Sequence, residues 1–153
     1  MAATVNPIPD GFRGATPMLA VRDAAGAIDF YKRAFGAVEV LRLTDPAGKV
    51  AHAEVRVGDA LVMLAEENPA FNHSPASLGG STVIISLYVP DVDAFAARAV
   101  AAGATVVFPV KDQFYGDRGG RLQDPYGHLW AVATHVEEVS PEEMQRRFDA
   151  MMS

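Results

Sequence analysis

The chain has 153 residues, half of them hydrophobic and 21% charged, which predicts one globular domain with its own core. Its net charge of −6 argues against nucleic-acid binding, because phosphate backbones attract basic surfaces. The sequence lacks cysteine, which excludes disulfides, thiolate nucleophiles and cysteine-ligated zinc. Residues 1–12 do not resemble a signal peptide and the longest apolar run, 83–89, is too short to cross a bilayer, so we expect a cytoplasmic protein without membrane contact.

The first predicted module spans about residues 16–66. A short apolar strand at 18–20 leads to Asp23, a natural N-cap, and apolar side chains then recur at helical spacing until Gly36. Three further strands are predicted at about 37–44, 50–57 and 61–65. The first module is therefore expected to have the order βαβββ.

A second module, at about 82–135, repeats this plan. Val21-Arg22-Asp23 and Gly36-Ala37 recur about 68 residues later as Val89-Pro90-Asp91 and Gly103-Ala104. Its later strands are predicted at about 104–109, 117–123 and 128–134. One small module cannot bury its own hydrophobic face, so the two copies should pair and enclose a space suited to a small molecule.

Two segments lie outside the modules. Residues 67–81 are rich in Pro, Asn, Ser and Gly, and form either a lid over the pocket or a plain linker. A C-terminal helix is predicted at 140–152, where Ser140 is the N-cap and Pro141 the first helical residue. Its apolar stripe is expected to pack on its own domain or on a second subunit; the stripe consists of Met144, Phe148 and Met151.

The order of these elements resembles the vicinal oxygen chelate superfamily, which includes glyoxalase I, extradiol dioxygenases, fosfomycin-modifying enzymes and bleomycin-resistance proteins. The resemblance rests on V-x-D before each helix and on the motif Asp124-Pro125-Tyr126-Gly127-His128-Leu129-Trp130 before the last strand. It covers about 16–134, and the tail 134–144 resembles the PhnB-like branch. The resemblance implies an α+β fold in which two βαβββ modules form a cup-shaped mixed sheet followed by a C-terminal helix. It also implies a homodimer.

The metal ligands of the superfamily are not found at the matching positions of this sequence. Those positions are Thr16, Met63, Ile84 and Ala131. They offer at most one weak oxygen donor, whereas a hard divalent cation needs several oxygen or nitrogen ligands. We therefore predict no metal and no other cofactor.

Strand alternation separates a core face from a cup face. Ala53 and Val55 should face the core, which directs His52 and Glu54 into the cup as candidate catalytic residues. Alternation and the resemblance together place six candidate ligand-binding residues on the cup side: Met18, Met63, Ser86, Tyr88, Arg121 and Gln123. Tyr115 is a seventh candidate, because the glycine-rich stretch 113–120 is expected to curve over the mouth of the cup. Trp130, which has the opposite parity, is predicted to be core, and His128 to be structural.

The pair His52 and Glu54 allows three interpretations. It forms an ion pair with Arg121 without chemistry, an acid/base pair, or part of a displaced metal site with His135 as a third donor. The leading functional hypothesis is a metal-free protein that binds a small organic molecule, as bleomycin-resistance proteins do, and Glu54 is compatible with a cationic ligand. The alternatives are a glyoxalase-like lyase or isomerase that uses His52 and Glu54, and an interaction domain with an unused cup.

Overall fold

The computed structural model describes residues 3–153, and their twelve elements confirm the predicted α+β fold of two βαβββ modules and a C-terminal helix. The first module comprises β1 (Met18–Val21), α1 (Ala24–Phe35), β2 (Val38–Thr44), β3 (Val50–Val57) and β4 (Ala60–Glu66). After the short helix α2 (Pro75–Leu78), the second comprises β5 (Ile84–Tyr88), α3 (Val92–Ala102), β6 (Thr105–Asp112), β7 (Asp117–Gln123) and β8 (Leu129–His135). Helix α4 (Pro141–Met152) ends the chain.

The strands form two separate four-stranded sheets with the same topology. The first sheet has the order β1-β4-β3-β2 and the second has the order β5-β8-β7-β6. In each sheet the first strand of the module pairs in parallel with the last, while the other pairs are antiparallel. Strands β1 and β5 therefore each keep one edge that no described strand pairs.

One face of each sheet packs on the helices, as the alternation predicts. In β3, Ala53, Val55 and Val57 are buried while His52 and Glu54 are only partly buried. In β8, Trp130 and Val132 are buried and Ala131 between them is partly exposed. The opposite face of each sheet is thus left free, and the candidate site residues on the strands lie there.

Both module helices begin and end where the sequence predicts. The side chain of Asp23 accepts a hydrogen bond from Gly26 N at 3.0 Å, and that of Asp91 accepts one from Ala94 N at 3.0 Å. Gly36 ends α1 with a φ of 65°, a conformation that glycine adopts without strain. Helices α1 and α3 pack against each other, and Phe35 of α1 stacks on Phe95 of α3 with ring centroids 5.2 Å apart.

The Asp124 carboxylate joins the two modules inside the core. Its Oδ2 accepts hydrogen bonds from Tyr31 of α1 at 2.6 Å and from Trp130 Nε1 at 2.9 Å. Its Oδ1 accepts from the backbone N–H groups of Tyr126 and His128. Burial, together with the adjacent carboxylate, raises the pKa of Tyr31 well above its usual value, so the phenol stays a donor.

The segment 67–81 is held against the first module. Hydrogen bonds from Ser77, from the backbone and hydroxyl of Ser74, and from Arg22 lower the pKa of Glu67 to about 2. Ser74 itself is fully buried and caps α2. This anchoring holds the segment beside β1, because Arg22, the residue that follows β1, is one of the groups bound to Glu67.

Helix α4 touches the rest of the chain along a narrow strip, and none of its residues is buried. Arg147 donates to Phe114 O at 3.1 Å and forms an ion pair with Glu137 at 2.7 Å. Phe148 lies 5.7 Å from the Phe114 ring but is 43% exposed, and Met151 is 65% exposed. Within 3–153, none of the helices is long and apolar enough to span a membrane.

Candidate functional site

A cleft of about 420 Å³ opens on the free face of the second sheet. We call it the second-sheet cleft. It takes residues from all four strands of that sheet and from the turn between β6 and β7: Ser86, Tyr88, Phe108, Lys111, Gln113, Tyr115, Asp117, Gly119, Arg121, Ala131 and Ala133. Its volume is in the range of small-molecule sites in proteins, which is about 300–1,000 Å³.

The floor of the cleft consists of two rows of side chains that run across the strands. The first row is Ser86, Ala131, Arg121 and Phe108, and the second is Tyr88, Ala133, Gly119 and Lys111. The middle positions carry Ala131 and Arg121 in the first row and Ala133 and Gly119 in the second. The three small residues leave free space between the larger side chains.

Arg121 is the polar centre of this floor. Its guanidinium carbon lies 5.1 Å from the centroid of the Phe108 ring, an arrangement that fixes the plane of the group. Its Nε is a buried side-chain nitrogen without a hydrogen-bond partner among the described residues. A buried charged donor without a partner carries an uncompensated desolvation cost, which a ligand atom that accepts a hydrogen bond would offset.

Two residues that line the cleft, Tyr88 and Asp117, form a hydrogen-bonded group with His135, which lies beside the cleft. Asp117 is 95% buried, and its Oδ2 accepts a hydrogen bond from the Tyr88 hydroxyl at 2.5 Å. Its Oδ1 lies 2.8 Å from His135 Nδ1, and His135 Nε2 lies 3.2 Å from Glu138. The hydrogen bond to Asp117 is the main cause that raises the pKa of both Tyr88 and His135.

This arrangement fixes the role of Tyr88 toward the cleft. Since its hydroxyl proton points at Asp117, the oxygen lone pairs remain as acceptors. The raised pKa keeps the phenol neutral, which makes Tyr88 a poor general base. The group therefore suits ligand recognition better than proton abstraction.

Tyr115 lines the mouth of the cleft from the turn between β6 and β7 and is 39% exposed. The ring of Phe114 lies 5.1 Å from that of Tyr115 and 5.7 Å from that of Phe148 in α4. The C-terminal helix is thus connected to the rim of the cleft through Phe114, whose ring contacts Phe148 and whose carbonyl oxygen accepts a hydrogen bond from Arg147.

The free face of the first sheet carries the other candidate residues. Met18 pairs with Met63 across β1 and β4, and Met63 pairs with Glu54 on β3. His52 Nε2 lies 3.3 Å from Glu54 Oε1, and both side chains keep some exposure to solvent. The imidazole and carboxylate are therefore in contact, as the acid/base interpretation requires.

The structure does not bring all the candidate residues into one cup within the chain. Met18, His52, Glu54 and Met63 lie on the first sheet, whereas Ser86, Tyr88, Arg121 and Gln123 lie on the second. The interpretation in which His52 and Glu54 pair with Arg121 is wrong within residues 3–153, where His52 contacts Glu54 and neither of them pairs with Arg121 on the other sheet. Gln123 lies one row beyond Arg121, next to Leu129, and does not line the second-sheet cleft.

Sequence reasoning did not assign Asp117 to the site and considered His135 only as a metal ligand. The sequence contained a signal for this contact, because β7 and β8 form a hairpin around the turn at 124–127. In that hairpin Asp117 and His135 are directly opposite each other, at the end away from the turn. Counting the register back from the turn at 124–127 would have found this pair. Lys111 was missed because β6 extends to Asp112, beyond its predicted end.

The positions that hold the metal in the superfamily offer no ligand set. Met63 and Ala131 occupy the last strand of each module, and Ile84 begins β5. Among residues 3–153, no three His, Cys, Asp or Glu side chains converge in a way that would hold a metal ion. His135, the proposed third donor of a displaced site, lies on the second sheet and contacts Asp117, not His52.

Known proteins are similar to this chain over most of its length. The sequence profile of the Glyoxalase/Bleomycin resistance protein/Dioxygenase superfamily matches residues 15–132. Protein Rv0887c of Mycobacterium tuberculosis is 48% identical over 134 residues, which cover 85% of this chain and 79% of that protein. The crystal structure of TioX from Micromonospora sp. ML1 superposes with a TM-score of 0.63 at 32% identity, covering 83% of this chain and 99% of TioX.

A plant protein shares the fold as well. The product of Arabidopsis thaliana gene AT5G48480 superposes with a TM-score of 0.64 at 29% identity, covering 80% of this chain and 98% of the plant protein.

Proposed function

The chain belongs to the Glyoxalase/Bleomycin resistance protein/Dioxygenase superfamily, and we propose that it is a metal-free protein that binds a small organic molecule in the second-sheet cleft. The observation that carries the proposal is the buried, unpartnered Arg121 Nε on the floor of that cleft. A concavity that combines apolar side chains with convergent polar groups is typical of a ligand site. Ser86, Tyr88, Tyr115 and Arg121 supply those groups here.

The metal-free part of the proposal rests on the donor set. Thr16, Met63, Ile84 and Ala131 cannot replace the imidazole and carboxylate ligands that a divalent cation requires. Chemistry that depends on the metal of the superfamily therefore has no basis in these residues. The residues of the cleft can still bind a small molecule through shape complementarity, hydrogen bonds and the positive charge of Arg121.

The proposal includes a homodimer. The described chain exposes 9470 Å², whereas a compact monomer of 16.3 kDa exposes about 7,500 Å². Exposed large hydrophobic side chains lie on one edge strand of each sheet: Val38, Val40, Leu41 and Leu43 on β2, and Val106, Val107 and Phe108 on β6. In a symmetric dimer a second copy would cover these faces and close each half-open cup.

Ligand binding in the cleft is tested in two steps. Native mass spectrometry of the protein purified from its own host identifies a co-purifying molecule, and ¹⁵N-resolved NMR of the protein then maps where that molecule binds. We expect that molecule to shift the amide signals of Gly119, Gly120 and Ala131. Ala131→Leu should abolish binding, because it fills the centre of the floor, while Ala101→Leu on the exposed side of α3 should not affect it. Shifts confined to other surfaces would contradict the proposal.

The contact between His52 and Glu54 favours a second candidate, a lyase or isomerase of the glyoxalase-like class. In that case His52 transfers a proton and Glu54 orients its ring. Turnover of a hemithioacetal that disappears in His52→Ala but persists in His73→Ala would support the enzyme over the binding protein. If the protein binds its ligand but shows no turnover, the enzyme hypothesis is wrong and only the binding function remains.

A further inference from the structure

The surroundings of Arg121 identify the chemical class of ligand that fits the second-sheet cleft. Across the strands, Arg121 lies between Ala131 on one side and Phe108 on the other. Ala131 has no group that accepts a hydrogen bond, and Phe108 presents only the face of its ring to the guanidinium. Neither neighbour satisfies the N–H groups along the edge of the guanidinium.

The nearby carboxylate does not balance this charge. Asp117 is the carboxylate that lines the cleft, and its two oxygens are already bound to Tyr88 and His135. No ion pair joins Arg121 to any residue in the described part of the chain, and Lys111 adds a second cation in the neighbouring row. Although the whole chain carries a net charge of −6, the cleft therefore has an unbalanced positive charge.

A guanidinium held in this way recognises a particular type of group. Its planar edge matches two oxygens of an acid group, and charge-assisted hydrogen bonds of this kind are about twice as strong as neutral ones. The expected match to a cationic ligand relied on Glu54, which lies on the first sheet and contacts His52. The side chains around Arg121 are instead apolar at Ala131, Ala133 and Phe108.

We propose that the ligand is a small organic anion whose acid oxygens bind Arg121 and whose apolar body lies over Ala131, Ala133 and Phe108. This inference rests on the proposed binding function of the same cleft and goes beyond it by naming the charge and the contact group. Carboxylate and phosphonate groups share the required chemistry, and the test below separates them.

The test compares three probes of similar shape: benzoate, phenylphosphonate and the neutral amide benzamide. Binding is followed through the amide signals of Gly119 and Gly120 during titration of the full-length protein. We expect benzoate or phenylphosphonate to bind about tenfold more tightly than benzamide, since the amide lacks the charge. The tighter of the two acids identifies the acid group.

Arg121→Met should weaken the acid about tenfold or more and remove its advantage over benzamide, while Arg121→Lys should keep part of it. Arg33→Met removes the same charge from the exposed side of α1 and should change nothing. The melting temperature of each variant, and comparison of its amide spectrum with that of the wild type, show whether it is folded. If Arg121→Met is not folded, Arg121→Lys is used in its place.

Equal affinity for benzamide and the acids, or acid binding unchanged by Arg121→Met, would overturn the inference while the binding function stands. If no probe shifts Gly119 or Gly120 but the molecule from the native host does, the inference is again wrong and the function stands. If nothing shifts these amides, both are wrong.

Discussion

At the scale of single residues, Asp124 shows how one side chain serves both a turn and the core. The sequence motif identified Asp124 as the start of a turn before the last strand. The structure adds that its carboxylate accepts four hydrogen bonds, including one from Tyr31 of the other module. All four donors are uncharged, so an anion is held in the core without a cationic partner.

Asp124→Asn should destabilise the protein by about 3 kcal/mol, because the amide turns an N–H group toward donors that need an acceptor. Tyr31→Phe removes one of the four hydrogen bonds and should lower the free energy of unfolding by about 1.5 kcal/mol. Urea denaturation followed by tryptophan fluorescence measures both changes, since Trp130 donates to the same carboxylate. Equal effects of the two substitutions would show that the charge of Asp124 is unimportant.

His135 should make stability depend on pH. Asp117, with a smaller effect of Glu138, raises the pKa of His135 above its usual value of 6.5. A raised pKa in the folded state means that this stabilisation is complete below pH 6.5 and is lost as pH rises through the folded pKa. His135→Gln should therefore lower the melting temperature more at pH 5.5 than at pH 9.

His73→Gln, in the exposed loop, provides the control for this experiment. Its melting temperature should follow that of the wild type across the same pH range. A loss in His135→Gln that is constant with pH would mean that the imidazole contributes through packing alone.

At the scale of elements, the turn between β6 and β7 connects the cleft to the C-terminal segment. Gly116 O accepts hydrogen bonds from the backbone N–H groups of Val136 and Glu137. The φ of Gly116 is 97°, and a Cβ there would collide with the carbonyl oxygen of Glu137. This glycine therefore allows the chain leaving β8 to pass close to the rim that carries Tyr115.

Gly116→Ala should lower the free energy of unfolding by about 3 kcal/mol, from backbone strain and from displacement of the 136–137 segment. Gly48→Ala has a similar φ of 86° but nothing within 4 Å of the new Cβ, so it should cost about 1 kcal/mol. Denaturant titration of both variants isolates the steric contribution. Equal losses would show that the segment moves aside freely.

At the scale of the whole molecule, the main question is how the free faces of the two sheets are covered. We expect light scattering to give a mass of about 33 kDa at micromolar concentration, twice the 16.3 kDa of one chain. A mass of one chain at high concentration would refute the dimer and leave each cup half open.

Helix α4 is expected to contribute to that dimer. Truncation after Ser140 removes the exposed side chains of Phe148, Met151 and Met152 and should shift the protein toward monomer. Phe148→Ser should have part of this effect, whereas Arg146→Ser on the opposite, exposed side of the helix should have none. An unchanged dimer fraction with a lower melting temperature would mean that α4 packs only on its own chain.

Divalent metals should not stabilise the protein. Nickel, zinc, iron or manganese that bound the folded state would raise the melting temperature, because such binding shifts the folding equilibrium. We expect no rise above that of the metal-free protein. Stoichiometric metal that survives dialysis, at a site including His52 and Glu54, would contradict this prediction.

The sequence alone determined the local structure of this protein. The repeated Asp caps, the helical spacing between them and the parity of 53, 55 and 57 are properties of neighbouring residues, so they were visible without coordinates. For the same reason the burial of Trp130 and the bounds of most strands were predicted closely. The internal repeat then implied two equivalent modules.

Only the tertiary structure decided which residues share a site. Whether His52 meets Arg121 depends on how the two sheets are placed, and the packing of α1 on α3 leaves them separate within the chain. The group of Tyr88, Asp117 and His135 likewise requires the register of three strands. Such contacts join residues far apart in sequence, and their geometry depends on long-range packing that local patterns do not contain.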